Sequence, residues 1–199
     1  KRRDLDPFDA YYRHLVLWDD SDLQIVGAYR IGEAGRIVAA RGCEGLYTHG
    51  LFSYSGAMHR YFPRALELGR SFVQPRYWGM RSLDYMWYGI GAYLRRHPDI
   101  RYLFGPVSIS DGYPRAARNL LVHYYRHYFG DDGRLALARD RYVIAEAERS
   151  PLHELFGGAD YEQGFRVLKA QLGHLGLAVP TLYKQYTEVC EPGGARFLD

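Results

Sequence analysis

The sequence predicts an α/β domain in which helices cover a mixed, antiparallel-rich, twisted sheet. Three observations predict it. Segments 23–31 ("LQIVGAYRI") and 65–73 ("ALELGRSFV") have the β-branched and aromatic content of strands and are bounded by polar or proline-containing stretches. Leu83, Met86, Trp87, Ile90 and Leu94 then recur at helical spacings of three and four. From 65 to 130 the pattern alternates strand, helix, strand, helix.

Taken in order, "YYRHLVLWD" is the expected hairpin partner of 23–31 across the turn "DDSD", and "LYTHGLFSY" leads into a connection ending at Pro63. The strand 65–73 is closed by Pro75. Ser82 is the expected N-cap of the next helix, and "RRHP" closes that helix with positive charge and a proline. "RYLFGPVSIS" (101–110) reads as a short buried strand. "YPRAARNLLVHYYRHYFG" reads as a second helix from Pro114 to Gly130. "LALARDRYVI" reads as a further strand, "YEQGFRVLKAQLGHLG" as a helix and "YKQYTEVC" as a last strand.

The 199 residues suit one domain. The expected division is a core over 1–150 and a C-terminal half over 151–199, excised from a longer two-domain protein. No apolar run approaches the ~18–20 residues of a membrane-spanning helix, so a cytoplasmic chain is expected, with peripheral contact at the inner membrane face.

Net charge is +3, and only three of the 26 basic residues are lysines. Arginine suits anchored contacts with carboxylates and phosphates. Acidic residues are interleaved almost everywhere, so no basic stripe for nucleic acid is expected; an acidic or phosphorylated protein partner fits the mild excess. Cys43 and Cys190 lack metal or CxxC spacing and read as reduced thiols. His123 and His127 stand at i and i+4 in "HYYRH", but HExxH is not present and no third ligand stands out, so no metal site is expected.

The informative segment is 65–87. Glu67 and Arg70 lie inside an apolar strand, where an unpaired charge costs several kcal/mol. Strict alternation would put them on opposite faces. A bulge at Gly69 would re-aim one of them. A strand running through "RYWGMR" into a helix is also how backbone N–H groups are aimed at a phosphate. "DPFD" sets Asp6 and Asp9 three residues apart beside aromatics, either an exposed turn or an acidic lip for an amine.

The run "DPFDAYYRHLVLWD…IVGAYRI…LELGRSFVQPRYW…LDYMWYGIGAYL…YLFGPVSIS" resembles the GNAT-superfamily N-acyltransferases that make ornithine- and glycine-containing lipids, haemolysin-like proteins in which a phospholipid acyltransferase domain is often fused. More distantly it resembles acyl-homoserine-lactone and N-acyl amino acid synthases. The resemblance implies a GNAT fold, with a V splayed between two central strands. It implies transfer of a long (3-hydroxy)acyl chain to the α-amino group of an amino acid. No tightly bound cofactor is implied; acyl-phosphopantetheine is the co-substrate.

Residue by residue, the resemblance assigns the catalytic pair to Glu67 and Arg70, with Glu67 as the base for the amine. It assigns substrate binding to Asp6, Asp9, Arg30, Ser71 and Ser108. Phe72, Val73, Arg76, Gly79, Arg81 and Ser82 fall to the phosphopantetheine arm. The family's pyrophosphate loop reads R/Q-x-x-G-x-G/A; here Arg81 stands where the second small residue belongs, which favours acyl carrier protein over CoA as donor. Apolar residues of helix 82–94 are expected to line the acyl chain, and Gly89 and Gly91 to permit close packing. A non-catalytic carrier-binding module is the competing reading. It gains if Glu67 and Arg70 are sealed in a closed ion pair, whereas a common open cleft beside the splayed strands favours an enzyme.

Overall fold

The computed structural model describes residues 4–132, 134–158, 160–191 and 193–198. It gathers into two compact units, Lys1–Pro106 and Val107–Asp199, so the internal division falls after Pro106 rather than after residue 150.

The first unit is built on a four-stranded sheet. Strand β1 (Arg13–Asp19) and strand β2 (Gln24–Glu33) form the expected antiparallel hairpin. Its turn is fixed locally: Asp19 Oδ1 accepts from the N–H groups of Ser21 (3.0 Å) and Asp22 (3.3 Å). Helix α1 (Ala34–Arg41), a string of 3-10 turns and the short strand β3 (Phe52–Tyr54) lead to strand β4 (Ala65–Val73). Helix α2 (Ser82–Arg96) and strand β5 (Tyr102–Phe104) complete the unit, and the sheet order is β1-β2-β4-β5.

The β1–β2 and β2–β4 pairs are antiparallel and the β4–β5 pair is parallel. β2 is central and covered on both faces, which is why seven successive residues from Val26 to Gly32 are buried. Helix α2 packs its apolar stripe on β1 and β2: Met86 and Ile90 are each 1% exposed, Trp87 meets Tyr29 edge-on at 6.3 Å, and Gly27 leaves room for Met86. That stripe is sheet core rather than a lining left open for an acyl chain.

β4 and β5 pair only over Ala65–Glu67 and Tyr102–Phe104. Gly105 still passes tightly by, since a Cβ there would lie 2.0 Å from the Leu68 carbonyl oxygen. From Leu68 to Val73, β4 has a strand partner only on its β2 side among the described residues. The predicted strand 101–110 is therefore three residues of strand and an extended continuation, and its first residue, Tyr102, is exposed.

The second unit is helical. Helix α3 (Arg115–Phe129), strand β6 (Ala136–Ala138), helix α4 (Glu146–Phe156), helix α5 (Tyr161–His174) and helix α6 (Thr181–Glu188) follow in order. Leu121, Phe156, Leu168 and Leu172 form the centre of its core, with Tyr124 and Tyr125 beside them. Helices α3 and α5 match expectation; three other segments do not. The strand expected over 135–144 shrinks to β6. Helix α4 forms around Pro151, which is exposed while Leu152 and Phe156 turn inward at i, i+4. "YKQYTEVC", read as a strand, is mostly helix α6: burial of Tyr183 and a Lys184–Glu188 pair at 3.7 Å override the β propensity of Tyr and Thr.

Candidate functional site

Glu67 pairs with Gly32 across β2–β4, and Gly69 with Arg30, so the Glu67 and Arg30 side chains share one face of the sheet. The N-terminal segment closes over this face. Asp6 caps the 3-10 turn Pro7–Ala10 in a reciprocal capping box with Asp9: Phe8 N–H donates to Asp6 Oδ1 (2.9 Å) and Asp6 N–H to Asp9 Oδ2 (2.8 Å). "DPFD" is thus both a capped turn and an acidic pair. Its two carboxylates meet Arg30, whose Nη1 donates to Asp6 Oδ1 at 2.6 Å and Asp9 Oδ1 at 2.9 Å.

Arg30 is 1% exposed. Its guanidinium lies 5.1–5.5 Å from the ring centres of Phe8, Tyr12 and Tyr47, so π faces take up charge that water cannot. Its Nη2 is buried with no hydrogen-bond partner among the described residues.

Glu67 is also 1% exposed, and its carboxylate is filled with donors. Oε1 accepts from the Thr48 N–H (2.7 Å) and the Thr48 hydroxyl; Oε2 accepts from the Tyr47 N–H (3.3 Å) and the Tyr12 hydroxyl. Tyr12 gets there because Gly32 has no Cβ; one would lie 2.4 Å from the ring. Burial, then the charge and hydrogen bond of Glu67, push the Tyr12 phenol far above its usual range.

The expectation that Glu67 and Arg70 would act together on an open cleft is corrected here. Between Arg30↔Gly69 and Ala28↔Phe72, β4 takes three steps and β2 two, so the bulge lies at Arg70–Ser71 and not on Gly69. Arg70 adopts φ +44°, a left-handed conformation that a residue with a Cβ seldom takes. Its guanidinium reaches Asp4 and Asp6 Oδ2 (3.1 Å), not Glu67. Asp6 therefore bridges two arginines. Four carboxylates (Asp4, Asp6, Asp9, Glu67) gather with two guanidiniums (Arg30, Arg70), an acidic balance.

Burial pushes the Asp6 carboxyl up, but the Arg30 hydrogen bond and charge outweigh it, and the net shift is downward. Asp9 is lowered to about 2, first by the Asp6 N–H and then by Arg30. The same carboxylates raise Arg30 against the opposing effect of its burial.

Apart from Ser108, the remaining predicted residues follow one another along the first unit. Ser71, Phe72 and Val73 follow the bulge on the stretch of β4 without a β5 partner; Ser71 and Val73 are half-buried and Phe72 is exposed. The loop beyond is pinned to the hairpin by Gln74 N–H to Val26 O (2.8 Å) and Tyr77 hydroxyl to Asp19 (2.7 Å). Arg76 pairs with Asp22, Gly79 has φ +77°, and Arg81 pairs with Asp84 at 3.2 Å and with the Tyr88 hydroxyl at 3.1 Å. Ser82 is not the N-cap: Arg81 is, without a side-chain cap bond, and the Ser82 hydroxyl donates to Tyr77 O at 3.5 Å. The first turn of α2 thus keeps N–H groups that no side chain caps. Ser108 belongs to the second unit and is exposed.

Asp4, Tyr12, Tyr47 and Thr48 were not singled out by the sequence. Two of them contribute backbone N–H groups, which every non-proline residue has. The only signal was the aromatic run around "DPFDAYY".

Comparison with known proteins agrees with this architecture. The acetyltransferase (GNAT) domain family matches residues 1–88, inside the first unit. The glycine N(alpha)-acyltransferase of Bacteroides thetaiotaomicron is 30% identical over 196 residues, covering 92% of this chain and 58% of that protein. The enzyme of the same name from Phocaeicola vulgatus is 29% identical over 199 residues, covering 94% and 60%. The L-ornithine N(alpha)-acyltransferase of Brucella abortus is 35% identical over 133 residues, covering 64% and 46%. The chain spans about three-fifths of the length of the first two relatives. No solved structure matches it significantly.

Proposed function

We propose that this chain, a member of the GNAT superfamily through its residues 1–88, catalyses N-acylation of an amino acid of glycine or ornithine type. The donor is a long (3-hydroxy)acyl chain on the phosphopantetheine of an acyl carrier protein, and the product is an aminolipid precursor. One observation carries the reading: an acidic cluster, clamped by the buried Arg30, stands beside a β4 edge that β5 leaves open.

In the reaction the amine nitrogen attacks the thioester carbonyl carbon. The new C–N bond forms, the C–S bond breaks, and the thiol leaves carrying one proton of the amine; the other proton of the incoming ammonium passes to water before attack. Asp6 and Asp9 draw in the cationic amino group, whose charge matches the carboxylate excess. Arg70 and Arg30 hold those carboxylates in place, and Arg70, partly exposed, also faces the substrate carboxylate. Backbone N–H groups of the bulged stretch Gly69–Val73 stabilise the oxyanion. Ser71 supplies a polar contact to the substrate, and Phe72 and Val73 flank the pantetheine arm. The uncapped start of α2 with Gly79, Arg81, Ser82 and Arg76 receives its phosphate.

Glu67 has a different role from the base expected for it. A buried carboxylate already accepting four hydrogen bonds is a positioning residue, holding Tyr12 and the Tyr47–Thr48 turn under the acidic pair. Glu67 and Arg70 neither pair with each other nor act together on an open cleft, so activity decides between this reading and the carrier-binding alternative. Incubation with 3-hydroxyacyl carrier protein and a panel of amino acids, with products read by mass, is expected to give an N-acyl amino acid. If the carrier binds but no amide forms with any acceptor, the binding-module reading replaces this one.

A further inference from the structure

We propose that His123, His127 and His153 form a binding site for one divalent first-row transition metal of the zinc class, which ties α3 to α4. The pair on α3 lies on one face at i and i+4. The third ligand, invisible to sequence spacing, comes from α4. Ligand nitrogens of all three lie within 4.8 Å of one another. Tetrahedral zinc with bonds of about 2.0–2.1 Å needs nitrogens about 3.4 Å apart, a closure of roughly an ångström or so.

The required movement falls on the two side chains free to make it, because His127 and His153 are exposed. His123 is half-buried and stacked on Phe156, with ring centres 5.8 Å apart. A second observation points to a ligand: His123 Nε2 is buried and has no hydrogen-bond partner among the described residues. A buried ring nitrogen without a partner is costly, and a metal would satisfy it.

Two of the three ligands, His123 and His153, line a cavity of about 540 Å³ together with Arg126, Ile144, Arg149 and Glu154 among others. Water can therefore reach a metal held there and fill a fourth coordination position. The two arginines bear on what enters. Arg126 Nη2 donates to Tyr142 O at 2.6 Å; Arg149 donates to Ile144 O at 3.1 Å and pairs with Glu146 at 2.8 Å. These donors are aimed at protein acceptors, while three imidazoles converge. Imidazole donors suit zinc, cobalt, nickel and copper rather than magnesium or calcium.

Cobalt(II) is the probe, titrated into the untagged full chain, with zinc displacement followed by calorimetry. One saturable equivalent, visible d–d absorption of low-symmetry cobalt and a raised melting temperature are expected. His127→Ala and His153→Ala, both at exposed positions, are each expected to weaken binding by more than about 100-fold, beyond what loss of an outer-shell partner costs. Binding that is absent, unsaturable or unchanged in both variants overturns the site. So does stabilisation by inorganic phosphate in place of the metal, which would make the cavity an anion site. None of these readouts depends on acyl transfer.

Discussion

Tyr12→Phe removes one of four donors from a carboxylate that is almost wholly out of water, leaving a charged acceptor short of a partner. The expected cost is about 1–3 kcal/mol, read as a lower urea midpoint at unchanged slope. Glu67→Gln turns an NH2 group toward the Tyr47 or Thr48 N–H, so a loss of the same order is expected together with lower transfer. Its residual activity distinguishes the two roles. A positioning residue leaves the kcat/KM pH profile with its acidic limb intact; disappearance of that limb would return the base role to Glu67. The acidic pair makes its own prediction. Asp6 and Asp9 both have folded pKa values below the ordinary value of about 3.9. Their stabilisation is thus complete above the unfolded pKa and is lost as pH falls through the folded one. The urea midpoint is expected to drop between about pH 4 and pH 2, the latter being the folded value of Asp9, and to drop less in Asp9→Asn.

At the scale of elements, the two glycines of α2 separate by what surrounds them. A Cβ on Gly91 meets nothing within 4 Å, whereas one on Gly89 would lie 3.0 Å from Leu15 Cδ1. Gly91→Ala is expected to raise stability by about 0.5–1 kcal/mol, and Gly89→Ala to gain less because Leu15 must give way; thermal melts of the two variants check the order. Close packing was expected of both and belongs only to Gly89. β4 was legible to the residue, because prolines 63 and 75 bracket a β-rich run and two charges inside it demanded an explanation. The bulge was legible in kind but misplaced by a residue or two, since glycine is only the commonest host of a left-handed conformation and Arg70 holds one here. Of the partners of Glu67, only Tyr12 had any signal, the aromatic run around it. Tyr47 and Thr48 had none, because they come from a 3-10 turn at 47–50 joined to β4 by tertiary contact. Helix α6 failed for a related reason: local β propensity lost to burial of Tyr183.

For the whole molecule, the arginine-rich excess of +3 and the exposed guanidiniums at the start of α2 bear on how a carrier would arrive. Asp22 and Asp84 offset Arg76 and Arg81 when nothing is bound, so the loop is not a bare positive patch. Both pairs are largely exposed, where water screens an ion pair and it contributes little. A phosphate at the uncapped helix start can therefore compete for either arginine at small cost. Arg81 is the more telling of the two, because the resemblance to the GNAT pyrophosphate loop implies a small residue at its place. Arg81→Ala is expected to raise KM for acyl carrier protein severalfold while kcat stays within about twofold, the signature of lost uniform binding. The wild-type KM should also rise with salt, as steering by exposed charge is screened over about 10 Å at 0.1 M, and the variant should show a shallower dependence. An unchanged KM for the carrier, with transfer otherwise intact, would move the docking face away from the 74–82 loop and leave the acidic cluster at Arg30 as the anchored part of the site.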